Sequence, residues 1–68
     1  MKTTEERIAA GGYAVHYDVG SWWACDANGV LVSRFALSPD DCWALFARGA
    51  LVAHDSHGTA TLYKMVKQ

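Results

Sequence analysis

An α+β fold with one small antiparallel sheet is the class this sequence predicts, in the order α-β-β-β-α-β-β with the main helix packed on one face. Three observations carry it. A serine-capped, proline-led helical pattern runs from Ser38 to Gly49. Strand-like alternation occupies Tyr13–Asp18, and an Asn28-Gly29 turn sits between two aromatic and β-branched runs.

The first element is a short helix. Thr3 followed by Glu6 is a capping box, and Gly11-Gly12 ends the helix after about two turns. Ile8 is its one large apolar residue, so it depends on tertiary support. Tyr13, Val15 and Tyr17 then alternate with Ala14, His16 and Asp18. Val19-Gly20 turns the chain into Trp22–Asp26, and Asn28-Gly29 turns it again into Val30–Leu37. Asn-Gly at that spacing is a strong hairpin signal, because a type I′ turn needs positive φ at both central residues.

The second helix is the clearest element. Ser38 caps it, Pro39 takes the first helical position, Asp40 and Asp41 suit the positive end of the dipole, and Gly49 stops it. Cys42, Leu45 and Phe46 recur at i, i+3 and i+4 as a buried stripe, with Asp41, Ala44 and Arg48 on the other side. Ala50–His54 reads as a strand, Asp55-Ser56-His57-Gly58 as its turn and Thr59–Val66 as the closing strand.

Two-residue loops would pair Tyr17 with Trp22, His16 with Trp23, and Trp23 with Arg34. One sheet face would then hold Tyr13, Val15, Tyr17, Trp22, Ala24, Leu31, Phe35 and Leu37, the expected core under the main helix. The other would carry the row His16–Trp23–Arg34, the candidate partner-binding residues. Tryptophan and arginine together are typical of binding hot spots. The competing interpretation is an intramolecular cation–π pair or a face covered by the first helix.

Composition bounds the function. The 68 residues suffice for one domain and one core, residues 1–68, and a chain this short has little stability to spare. Hydrophobic residues make up 51% and charged residues 19%, a globular balance. The formal net charge of −1 gives none of the positive field that non-specific nucleic-acid binding uses. Two cysteines cannot make a disulfide framework, no apolar run follows the N-terminal charges, and no stretch reaches membrane-span length, so a cytoplasmic protein is expected.

Candidate chemistry is sparse. His54-Asp55-Ser56-His57 is the one dense cluster of catalytic residue types, but adjacent residues in a turn do not converge as a triad does. Two histidines three apart lack the second ligand pair of a zinc module, so no metal or other cofactor is expected. Cys42 lies early in a helix, where a thiolate can be stabilised, yet Asp40 and Asp41 oppose it and it falls on the buried stripe. Cys25 is assigned to the opposite side of the sheet, which disfavours a disulfide with Cys42. Gly11-Gly12 follows a helix, the wrong polarity for a phosphate loop.

The expectation is therefore a non-enzymatic module that binds a protein, a second copy of itself being an allowed partner. Its specific form is a phage- or mobile-element-type inhibitor of a host defence or nucleic-acid enzyme, of the anti-CRISPR kind, an inference from size and class. Single-stranded nucleic-acid binding through sheet aromatics and a small metal-dependent catalytic or regulatory domain are the alternatives.

Overall fold

Small and neutral side chains decide how this chain layers. The computed structural model describes residues 2–18 and 20–66. Its elements are α1 (Thr4–Gly11), β1 (Tyr13–Tyr17), β2 (Trp22–Cys25), α2 (Pro39–Ala47), β3 (Leu51–His57) and β4 (Ala60–Met65), a small α+β fold. The four strands form one antiparallel sheet in the order β2-β1-β4-β3.

Both helix caps form as their residues dictate. The Glu6 N–H donates to Thr3 Oγ1 at 3.1 Å and the Thr3 N–H to Glu6 Oε1 at 3.0 Å, closing the capping box. Gly12, at φ 85°, takes the left-handed residue at the end of α1. Ser38 accepts from the Asp41 N–H, with Pro39 opening α2.

The core lies between the two helices and one face of the sheet. Ile8, Ala14, Trp22, Ala24, Leu37, Cys42, Leu45, Ala50 and Leu51 form a buried cluster, with Tyr63 and Met65 against it. Ala14 faces Ala24 directly across the β1–β2 ladder. This pair of methyl groups lets α1 settle onto the strand backbone. A Cβ built at Gly11 would stand 2.3 Å from the Cys25 carbonyl oxygen.

That close approach overturns the expected division of faces. His16 pairs with Trp22 and Val15 with Trp23, one residue away from the register two-residue loops would give. Ala14 and His16 therefore face the helices, and Tyr13, Val15 and Tyr17 face away. Side chains as large as tyrosine could not lie where α1 touches the sheet. Trp22 and Ala24 keep their core places.

Both turns that flank β2 depart from two-residue geometry. Asp26 Oδ1 accepts from the Asn28 and Val30 N–H groups at 2.9 and 3.0 Å, and the Gly29 N–H donates to the Asp26 carbonyl. Only Gly29 in this turn has positive φ, so the loop spans three residues instead of a type I′ pair. At the preceding turn the chain closes with the Tyr17 N–H on the Ser21 carbonyl, and Gly20 has φ 91°. The expected Val19-Gly20 pair rests partly on Val19, which lies outside the described residues.

The expected third strand, Val30–Leu37, does not form. Isolated bridges join Leu31 to Cys25 and Leu37 to Trp22. Between them the backbone bows away to meet Arg7, whose guanidinium donates to Ser33 Oγ and to the Phe35 and Ala36 carbonyls. Leu31 and Phe35 leave the expected core as a result, and Phe35 is 70% exposed. β3 also runs further than the sequence suggests. It passes through Asp55 and Ser56 with a bulge between Ala53 and Asp55, and the two-residue turn is Gly58-Thr59. Gly58, at φ 60° in the first central position, suits a type II′ turn.

Candidate functional site

Strand alternation composes the helix-free face. A central row crosses the sheet as Trp23–Val15–Leu62–Asp55, flanked by Cys25–Tyr13–Lys64–Val52 on one side and Tyr17–Ala60–His57 on the other. No helix packs on this side among the described residues. Val15 and Cys25 are buried within it, while Tyr13, Tyr17, Trp23 and Leu62 are part-exposed. The 27–29 turn also borders it. Together with Tyr17, Asp55 and His57 it rims a shallow groove of about 210 Å³ floored by Val15, Ala60 and Leu62.

The groove's polar wall is a pair on the β3 edge. His57 Nε2 lies 2.7 Å from Asp55 Oδ2, and both side chains are well exposed. The Ser56 backbone N–H, with His57 beside it, holds the Asp55 carboxyl below its ordinary range. His54 occupies the bulge, its ring 5.4 Å from that of Tyr13. Ser56 pairs with Thr61 on the helix side, so the hydroxyl does not share a face with Asp55 and His57. Among the described residues no three histidine, cysteine, aspartate or glutamate side chains gather as a metal site.

The three candidate binding residues are not brought together. Trp23 lies in the central row of the helix-free face. His16 lies on the helix side, stacked on Trp22 at 4.4 Å and edge-on to Trp43 at 5.2 Å. Arg34 is exposed in the bowed segment beyond β2.

Sequence reasoning missed the aromatic cluster that His16 joins. Trp22 meets Trp43 and Tyr63, both at 5.2 Å, and Phe46 closes the ring against Trp43 and Tyr63 at 6.0 and 5.6 Å. Phe46 was expected in the buried stripe but is 42% exposed, on the rim with Trp43 at 45%. The i, i+3 spacing of Trp43 and Phe46 was the available signal. Inside the ring, Trp22 Nε1 is buried without an oxygen or nitrogen acceptor, leaving the π-faces around it as weak partners.

Both cysteines are free and buried. Burial raises the Cys25 thiol from 9.0 to about 11 and the Cys42 thiol from 9.0 to about 12, with Asp26 and Asp41 adding to the respective shifts. Each folded thiol therefore titrates above its unfolded counterpart. Their contribution to stability is intact below about pH 9 and declines as pH rises toward 11–12. The urea midpoint is expected to fall between pH 8 and pH 10.5, at up to about 1.4 kcal/mol per pH unit for each thiol. The fall should be smaller in Cys42→Ala, which lacks the thiol with the larger shift. An identical fall in the two would contradict the assignment.

No protein-family model, no curated protein and no solved structure matches the chain.

Proposed function

We propose that the chain is a non-enzymatic module that binds a protein partner through the helix-free face of its sheet. One observation carries this reading: both helices pack on one side, so Trp23, Tyr13, Tyr17 and Leu62 are left on a side no helix covers. Large, stiff aromatic side chains on a sheet face give contact area at low entropic cost. Lys64, Asp55 and the histidines lie toward β4 and β3, a polar margin beside an apolar centre. The narrower form of the proposal is an inhibitor that occludes a surface of a larger host enzyme, which needs area and rigidity more than reactive groups. Two free buried thiols and the absence, among the described residues, of a helix long and apolar enough to cross a membrane suit a cytoplasmic setting.

Single-stranded nucleic acid is the second reading, favoured by Tyr13 and Tyr17 on inner strand β1 beside Trp23. Aromatics so placed can stack on bases. Lys64 is the one lysine or arginine in these rows, so the electrostatic part of such binding is weak. Titration of tryptophan fluorescence with an oligothymidylate at low and high salt separates the readings. Protein binding by this face predicts no saturable quenching; quenching that salt abolishes would favour the nucleic acid.

A further inference from the structure

A second surface lies apart from the helix-free face, between α1 and the bowed segment that follows β2. Lys2, Arg7, Ala10, Val32, Ser33 and Phe35 line a cleft of about 550 Å³, within the range of small-ligand sites. Its two charges are both positive, and no carboxylate lines it. Arg7 donates its hydrogen bonds to neutral oxygens alone: Ser33 Oγ at 2.8 Å and the Phe35 and Ala36 carbonyls. A guanidinium carries five N–H donors, so these three bonds leave donor capacity on a charge that forms no ion pair within 4.0 Å among the described residues. The apolar wall is unusually bare. Val30, Leu31, Val32 and Phe35 are all exposed within six residues, and Arg34 stands exposed among them.

From this pairing of positive charge with exposed apolar surface, in a chain of net charge −1, we infer that the cleft binds an acidic peptide segment of a partner protein. One of its carboxylates lies against Arg7 and Lys2, and a neighbouring apolar side chain lies on Val32 and Phe35. Charge-assisted hydrogen bonds from a guanidinium favour carboxylate over neutral amide, and the apolar wall favours a peptide over a bare anion. This inference stands independently of the helix-free face, since the two surfaces share no residue.

The test is amide and arginine side-chain NMR of the whole chain, titrated with a capped tetrapeptide alternating aspartate with phenylalanine and leucine. The asparagine version of that peptide and inorganic phosphate serve as comparison probes. Saturable shifts are expected at the Arg7 Nε–H and the Ser33 and Phe35 amides, with the acidic peptide binding roughly tenfold or more tighter than either comparison probe. Arg7→Gln would loosen the 33–36 segment, so exposed Lys2 and Phe35 carry the mutational arm. Lys2→Glu and Phe35→Ser should each weaken binding roughly fivefold to tenfold without moving the thermal midpoint. Equal binding of the asparagine peptide, phosphate binding as tight as the peptide, or full affinity in both variants would overturn the inference. So would shifts confined to Trp23, Tyr13 and Tyr17, which would leave the helix-free face as the binding surface.

Discussion

Trp22→Ala is expected to unfold the domain or bring it to the edge of unfolding. The side chain is fully buried and sits where three elements meet, against His16 of β1, Tyr63 of β4 and Trp43 of α2. Truncating a buried tryptophan costs about 3–5 kcal/mol, part lost transfer energy and part cavity. A domain of this length has roughly 3–10 kcal/mol of stability in total. Phe46→Ala provides the comparison. Its place in the Cys42–Leu45–Phe46 stripe suggests a core residue, yet its ring is 42% exposed on the cluster's rim, so the loss should be nearer 1–2 kcal/mol. Urea titration followed by circular dichroism measures both. Equal losses in the two variants would mean that the cluster is not centred on Trp22.

Gly11→Ala is the second large effect, and its sign is informative. On helix propensity alone, alanine in place of glycine gains about 0.5–1 kcal/mol. Here the new methyl would stand 2.3 Å from the Cys25 carbonyl oxygen and 2.8 Å from its carbon. Both are backbone atoms that no rotamer change can move. α1 would have to lift from β2, separating Ile8 from Ala14 and Ala24, and a net loss of about 2–3 kcal/mol is expected. The same denaturation experiment reads it; a stabilised Gly11→Ala protein would show that α1 does not rest on the β2 backbone.

Local chemistry was legible in the sequence wherever a single residue determines the outcome. Thr3 with Glu6, Ser38 with Pro39, and the glycine at 12 place the helix ends by short-range hydrogen bonding and φ preference. The faces of β1 were not legible, because they depend on loop length. The chain between β1 and β2 closes with Tyr17 on Ser21 instead of on Trp22, and beyond β2 the Asp26 carboxylate captures two backbone N–H groups and draws the Asn28-Gly29 loop out to three residues. The tertiary signal was present in a subtler form: Ala14, Ala24 and Gly11 are the residues that permit a helix to touch a strand, and alternation read from hydrophobicity placed Ala24 in the core but passed over Ala14 and Gly11. Arg7 was likewise silent in sequence, since nothing local says that it will hold a segment nearly thirty residues away. Of the candidate site, Trp23 was placed on the face opposite Trp22 by β2 alternation alone. His16 and Arg34 were joined to it only by the register that failed.

The helix-free face as the docking surface is tested most directly by measuring stability and partner capture together on Trp23→Ala and Tyr17→Ala. Both side chains are part-exposed and outside the buried cluster, so each urea midpoint should change by no more than about 1 kcal/mol in stability. Proteins captured by the wild-type chain from its native host should bind each variant about thirtyfold more weakly, the loss expected of a hot spot contributing roughly 2 kcal/mol. Undiminished capture by both folded variants would contradict the assignment of this face.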